Sequence, residues 1–579
     1  MTHTRLAIWL PQSLFAGLFA FLLCTAPATG KDLAPYDFET FFDTTRLVKI
    51  DLKLAPADWD RMRVQHRLLV KTLRTDIPPS DQTSPFDYVP AQLTIDGIEI
   101  GKVAIRKKGF VGSLDHERPS LKIQISRYKK QNKFAGLDTL TLNNNRQDPS
   151  RIHQLIGYQL FRAAGLTASH CNLAVVRVNG ESLGIYSNVE SLDKHFLRRA
   201  FKGAKGTLYE GTVCDFATES LIRFEHKVGS KKNRKNIAKV VAALTAPPET
   251  RLEKVGKHLD LDRFLRFWAM EVLIGHWDGY VSNRNNYFVY VDSKSDQLWL
   301  LPWGLDQLGN DRNPFWAWGF NPPKSVKADA AIARQLYQIE AGRQRYFTVV
   351  RTLLDTVWDE KKITEQIDTL QDLIEPHTII RGDRGRRHAG SLQNFIRRRR
   401  KEVLAEIDDG KFPDWKLAPR ELPRNLEKIA DIEGSFTVQS DSDEKGKDGF
   451  VPGTGSGQLT LKQNGQTIAI TSPTFGIRQN GRGSVTLRMH RPAVSAGETQ
   501  TIEVTFPRPR LTDKQPEASF RIDIFASPAQ GNLLEPNSPE PIGQLGGYLT
   551  ITKFGTEPGD RIEGRLQSEA FRWLPPEEK

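Results

Sequence analysis

Leu173-Ala174-Val175-Val176-Arg177-Val178-Asn179-Gly180-Glu181-Ser182-Leu183-Gly184-Ile185-Tyr186-Ser187-Asn188-Val189 is the stretch whose reading decides the fold. Two apolar runs flank Asn179-Gly180, a pair suited to the positive φ angles of a tight hairpin turn. Glu181 and Ser182 leave the loop length open. Upstream, apolar and polar residues alternate over 47–54, as in a half-buried strand. After a Pro- and Ser-rich loop at 76–85, further strands are expected at 91–98, 101–106 and 121–125. A helix follows over 150–164, capped by Asp148 or Ser150, with Ile152, Leu155, Ile156, Gln159 and Leu160 on one face.

Downstream of the hairpin the pattern becomes helical. Residues 262–277 read as a largely apolar helix, followed by a polar loop and strands at 287–291 and 298–303. Helical periodicity resumes from 330 to about 409. It ends in Phe395-Ile396-Arg397-Arg398-Arg399-Arg400-Lys401, a basic run expected to form a solvated helix face. This order predicts an α+β body with a mixed sheet lobe and a helical lobe. Pro419 and Pro423 mark a linker at 411–431. Beyond it, short alternating segments separated by Gly, Pro, Asn and Asp predict an all-β sandwich or barrel, taken as a sandwich-like domain over 432–579. That region holds no catalytic constellation, so a binding or attachment role is its default.

Composition agrees with a folded chain of more than one domain: 579 residues, 39% apolar and 26% charged. The formal net charge of +13 suggests an anionic ligand, and no nucleic acid is expected. Met1 to Arg5 is a short basic start, an apolar stretch runs over 6–23, and Ala26-Pro27-Ala28 offers small residues for cleavage. Residues 1–28 therefore read as a signal peptide, and the mature chain as exported: periplasmic, cell-surface or extracellular. No later segment is apolar enough to cross a membrane. Cys24 leaves with the signal, and export makes one Cys171–Cys214 disulfide possible.

The chemistry gathers in His276-Trp277-Asp278-Gly279-Tyr280-Val281-Ser282-Asn283-Arg284-Asn285-Asn286. An Asp followed five residues later by an Asn has the spacing of the protein-kinase catalytic loop, where one accepts a proton and the other holds magnesium. Asp306, in Pro302-Trp303-Gly304-Leu305-Asp306, brings a second carboxylate at the end of a neighbouring strand. Two such oxygens suit magnesium. Lys107-Lys108-Gly109-Phe110-Val111-Gly112-Ser113 is a basic, glycine-punctuated turn before the strand bearing Lys122, an arrangement that lets backbone N–H groups approach phosphate.

Together these blocks resemble the spore coat protein H (CotH) kinase family of atypical, secreted or surface-associated protein kinases. The resemblance also rests on Leu142-Asn143-Asn144-Asn145 with Asp148-Pro149-Ser150, on Val178-Asn179-Gly180 with Gly184-Ile185-Tyr186 and Glu190, and on Phe395-Ile396-Arg397. It covers roughly residues 45–410. It implies Asp278 as catalytic base, Asn283 or Asn286 as a metal ligand, and Asp306 as the ligand of Mg²⁺ or Mn²⁺ bridging the ATP phosphates. Gly109 and Gly112 would cover the nucleotide, Lys122 would pair with its phosphates, and Glu190 would orient Lys122. The protein partner would present Ser or Thr acceptors. One departure stands out: members commonly read Trp-Asp-x-Asp where this chain has Trp303-Gly304-Leu305-Asp306. If the first acidic position is essential, the protein is a weak kinase or a non-catalytic scaffold; if the second is, Asp306 suffices. A third reading, polysaccharide binding, draws on the β-rich C-terminus and on Trp316 and Trp318.

Overall fold

The structure, a computed structural model, describes residues 32–574 apart from 69–71, 73–83, 131, 204, 231–232, 379–383, 421–425, 441–443, 445, 447, 464, 472–473, 481–482, 491–500, 510, 514–515, 524–528 and 535–540. The expected signal peptide, Cys24 and most of the Pro- and Ser-rich loop lie outside the described residues.

Seven strands open the chain: β1 (Leu47–Lys53), β2 (Val89–Ile95), β3 (Ile98–Lys108), β4 (Ser120–Gln124), β5 (Thr139–Asn143), β6 (Cys171–Val178) and β7 (Glu181–Val189). Alternation in β1 sends Val48, Ile50 and Leu52 inward, because successive side chains of a strand point to opposite faces. Asn179 and Gly180 take φ of +52° and +88°. The β6–β7 turn is therefore a two-residue loop, with Glu181 already paired to Val178. The Asn179 side-chain oxygen accepts from Leu54 N at 2.9 Å, fixing the hairpin tip to β1. All neighbours are antiparallel except β1 and β6, which pair in parallel from Leu47↔Leu173 to Leu52↔Val178. That pairing closes the strands into a barrel in the order β1-β2-β3-β4-β5-β7-β6. Closure leaves no unpaired edge, and Ile50, Leu93, Val103, Ile123, Leu140 and Tyr186 fill the interior.

The helix His153–Ala163 follows β5. Asp148 serves its start from upstream, one carboxylate oxygen accepting from His153 N at 2.8 Å and the other from Ser150 N at 2.9 Å. A second, antiparallel sheet has the order β11-β10-β8-β9, made of β8 (Thr207–Gly211), β9 (Glu225–Val228), β10 (Tyr287–Val291) and β11 (Leu298–Pro302). The helix Leu261–Leu273, capped by Asp260, precedes β10. Helices Ala331–Tyr337, Glu340–Thr356, Glu360–Ile374 and Arg384–Ile407 complete a helical region. They share one core with the preceding sheet, including Trp268, Tyr280, Tyr346 and Trp358.

The basic run at 397–401 is not one solvated face. Arg399 is fully buried; it donates to Val272 O and, at 3.1 Å, to Leu273 O, and pairs with Asp311 at 3.0 Å. Arg400 donates to Leu354 O at 2.5 Å and Trp358 O at 2.6 Å. Two arginines thus donate to C-terminal carbonyls of helices Leu261–Leu273 and Glu340–Thr356, Leu273 O and Leu354 O among them. Arg398 stays outside, paired with Glu402.

The C-terminal region is β-rich as expected, and of the two expected forms, sandwich or barrel, its strand pairing follows the closed one. Its strands are β12 (Leu426–Ser440), β13 (Val451–Gln463), β14 (Gln466–Thr471), β15 (Thr474–Asn480), β16 (Ser484–His490), β17 (Thr501–Pro507), β18 (Ala518–Ile522), β19 (Gln530–Leu534), β20 (Pro541–Lys553) and β21 (Arg561–Trp573). They form a single sheet in which β12 pairs with β21 on one side and with β13 on the other, so the sheet returns on itself. Strands β14 and β18 attach to β13 and β20. Period-two alternation fixes which side chains face inward; it does not say whether the first and last strands meet. The interior is packed with side chains such as Phe436, Leu459, Leu487, Val504 and Leu566.

The segment 411–420 is strapped down rather than free. Tyr337 donates its hydroxyl to Pro413 O, Arg334 donates to Leu417 O at 2.7 Å, and Trp415 packs edge-on against Trp316 and Phe320. Cys171 and Cys214 are both buried free thiols, so the possible disulfide is not formed. Among the described residues, no helix is long and apolar enough to cross a membrane.

Candidate functional site

The rim of the first barrel, the four-stranded sheet and the polar loop 276–286 enclose a cavity of about 830 Å³, a size suited to a small-molecule ligand. Its walls include Lys108, Gly109, Gly112, Lys122, Asp278, Asn283, Asn286 and Asp306. Every site residue expected from sequence except Glu190 therefore reaches one cavity.

The polar loop is held from beneath by Glu271, a buried carboxylate on the otherwise apolar helix Leu261–Leu273. Its oxygens accept from Tyr280 N at 3.0 Å and Val281 N at 2.8 Å, satisfying the first amides of the short helix Tyr280–Asn283. A Cβ on Gly279 would collide with this carboxylate. The loop then surrounds Asp278 with three carboxamides. Oδ1 accepts from Asn283 Nδ2 at 2.5 Å and Asn285 Nδ2 at 3.2 Å; Oδ2 accepts from Asn286 Nδ2 at 2.8 Å. Burial raises the Asp278 carboxyl above its usual range, with the three amides pulling the other way.

Asp306 sits at the turn after β11, which packs on the helix His153–Ala163: His153 Nδ1 lies 3.0 Å from the Asp306 carbonyl oxygen. Burial, and then the charge of Asp278, push the Asp306 carboxyl up to about 7. The two carboxylates thus feel each other across the cavity, an arrangement that favours a shared cation or a retained proton. Among the described residues no group of three or more His, Cys, Asp and Glu side chains is gathered for a metal; what the cavity offers is two carboxylates, Asp278 and Asp306, and neighbouring amide oxygens.

The cations come from the barrel rim. Lys122 on β4 stands opposite Arg106 on β3; burial, then Arg106 and Lys227, lower its ammonium pKa. Lys108, at the end of β3, donates to Asn143 Oδ1 at 2.7 Å. Burial, followed by Arg106 and Lys122, lowers it to about 8, while Asp306 and Glu210 act in the opposite sense. In the sequence Lys108 stands out only as part of the glycine turn 107–113. Gly109 has φ of +118°, and a Cβ there would meet Ser113 Oγ; one on Gly112 would run into the Gln147 side chain. Both glycines let the turn fold tightly over the cavity.

Glu190 is corrected. Its carboxylate is buried outside the cavity, where it makes two hydrogen bonds with Arg199 at 2.8 and 2.6 Å and accepts from His170 N at 3.1 Å. The carboxylates whose charge reaches Lys122 are Asp193 and Glu210, and Glu210 is itself paired with Lys227 at 2.7 Å. Gly304 is also more than a missing acid. Its φ is +57°, and a Cβ would lie 2.6 Å from Asn286 Oδ1 and 2.7 Å from its Cγ. Trp316 is buried, its indole N–H on Asp329, whereas Trp318 is 96% exposed and Phe315, on the cavity wall, 65%.

The family model described as "CotH kinase protein" matches residues 105–403, just over half of the chain. The chain belongs to the CotH kinase family. Inner spore coat protein H of Bacillus subtilis is 26% identical over 187 residues, covering 30% of this chain and 50% of that protein. Invasin CotH3 of Rhizopus delemar is 22% identical over 277 residues, covering 42% of this chain and 45% of that protein. The matched segments thus span half or less of these CotH relatives. A crystal structure of the Helicobacter pylori proinflammatory kinase CtkA aligns over 46% of this chain and 88% of its own, at 13% identity and a TM-score of 0.26; at that score nothing about this chain follows from it. The match ends before Arg420 and Trp573, two further cavity residues.

Proposed function

We propose that this CotH-family chain is an exported, kinase-like phosphotransferase that moves the ATP γ-phosphate to Ser or Thr hydroxyls of surface or secreted proteins. The observation that carries this reading is the gathering of two carboxylates, Asp278 and Asp306, and two lysines, Lys108 and Lys122, in the lining of one cavity. The polyanionic end of a nucleotide needs cations on one side and metal-binding oxygens on the other. Asp306, raised by burial and by Asp278, fits a divalent cation, which would remove the repulsion between the two carboxylates. Asp306 would hold Mg²⁺ or Mn²⁺, with the amide oxygens of Asn283 or Asn286 as further candidates. When bound, the metal would neutralise charge developing on the phosphoryl oxygens.

The chain's own residues then have distinct tasks. Lys108 and Lys122 would neutralise phosphate oxygens. Asp278 Oδ1 already accepts two amide N–H groups, but Oδ2 accepts one side-chain donor, leaving a lone pair for an acceptor hydroxyl. Asn283, Asn285 and Asn286 fix the direction of that oxygen, and Glu271 fixes the loop. The names of the relatives, a spore coat protein and an invasin, support a surface or coat setting, and the apolar N-terminal stretch supports export.

The test is radiolabelled phosphate transfer by the purified mature chain with Mg²⁺ or Mn²⁺, first to itself and then to generic protein acceptors. Transfer that disappears in Asp278→Asn supports the reading. A wild type that binds ATP and transfers nothing favours the second reading, a binding scaffold, for which the specific observation is Gly304 in place of an acid.

A further inference from the structure

Arg420 lies beyond the family match and beyond the last helix, yet it lines the cavity. Its Nη1 donates to Asn283 Oδ1 at 2.9 Å and its Nη2 to Asn283 O at 3.0 Å. Arg284 Nη1 returns a hydrogen bond to the Arg420 carbonyl at 2.8 Å. From the other side Asn313 Nδ2 donates to the same Asn283 Oδ1 at 3.2 Å and to Ser282 O at 2.7 Å. A carboxamide oxygen has two lone pairs, and both are taken here. The Asn283 nitrogen is committed as well, to Asp278. Two donors on one side and a carboxylate on the other fix which way the amide points.

We infer that residues 411–420 form a latch, in which Arg420 occupies the Asn283 oxygen and keeps it from a divalent cation. The inference rests on the phosphotransfer reading for what the cation does. The guanidinium places a fixed positive charge where a metal would bring its own, so the two compete both for an oxygen and for space. The latch is anchored along its length, through Pro413, Trp415 and Leu417, and the second barrel begins at Leu426. Trp573 of β21 lines the same cavity. A partner that displaces Trp573 would therefore disturb the cavity that Arg420 lines.

Mn²⁺ binding to the full chain, read by the loss of the free-ion electron paramagnetic resonance signal, tests this without any turnover. Arg420→Ala and Arg420→Gln should each tighten Mn²⁺ by about tenfold or more, as expected when a charge-assisted hydrogen bond stops competing. Asn313→Ala, which frees only a neutral donor, should tighten it less. Asp306→Asn added to Arg420→Ala should abolish the gain, which locates it at this cavity. Should the arginine variants fail to fold, Arg420→Lys keeps the charge and one donor and should give an intermediate gain. Unchanged or weaker Mn²⁺ binding in folded arginine variants, beside a wild type that binds Mn²⁺ and ATP, overturns the latch and leaves the phosphotransfer reading standing. If no form of the protein binds Mn²⁺ or ATP, both fall.

Discussion

Two closed sheets bracket this chain, and they do different things with the same device. The first barrel closes through one parallel pairing, β1 with β6; the second closes between its first and last strands, β12 with β21. Both interiors are filled with apolar side chains, so neither is a pore or a ligand chamber. The difference lies at the rims. Strands β3 and β4 of the first barrel deliver Lys108 and Lys122 to a cavity that the loop 276–286 also lines. Among the described residues, the second barrel gives that cavity Trp573 alone. Closure makes a stable body in either case; chemistry requires a second element facing the rim.

Disturbing the second barrel's interior should produce the largest change in stability and the smallest in activity. Leu487 is completely buried there, and Leu487→Ala should remove about 2–5 kcal/mol from that barrel. Scanning calorimetry should show a separate low-temperature transition, and proteolysis near 415–432 should release or destroy the C-terminal part. A single transition shared with the preceding CotH-family body would merge the two units. Breaking the other side of the comparison, Asp278→Asn should lower phosphate transfer by at least about 10²-fold while the affinity for an ATP analogue is kept. Equal loss of both would recast Asp278 as a structural centre for its three amides.

Gly304→Asp should not raise activity. The left-handed backbone and the contact with Asn286 should destabilise the chain by about 1–3 kcal/mol, with no gain in transfer; measured gain would show that Asn286 swings away freely. The smallest effect is on pH dependence. Asp306 binds its proton up to about 7 in the folded chain, well above an unfolded carboxyl, so between about pH 4 and 7 the folded form holds a proton that the unfolded form has released. Stability of the metal-free protein should therefore fall as pH rises through that window and level off above it. Urea midpoints for Asp306→Asn should lack this slope; an identical slope would assign it to other groups.

Much of this was readable from local pattern. Asn179-Gly180 specified its own turn, and the loop 276–286 announced itself by spacing. Glu271 was visible in principle, as a lone carboxylate within an apolar helix, a position where burial demands a partner. What escaped depended on contacts distant in sequence. Nothing local tells that β1 meets β6, or that β12 meets β21. Glu190 sits at the end of a strand beside the site, but whether it faces Lys122 or Arg199 is decided by tertiary packing. Arg399 and Arg400 read as surface charge because helical position alone does not reveal which carbonyls lie within reach. Arg420 was lost inside a segment whose prolines signalled a linker.

The seam between β12 and β21 carries a mechanical consequence. Its register starts at Leu426↔Trp573 and ends at Gln439↔Arg561, so the strand that enters the barrel and the strand that leaves it meet at one end. Tension applied between Leu426 and Trp573 would pull these partners directly apart. It would open the seam like a zipper, one bonded pair after another, rather than shear all the pairs at once. A load of this kind is resisted weakly.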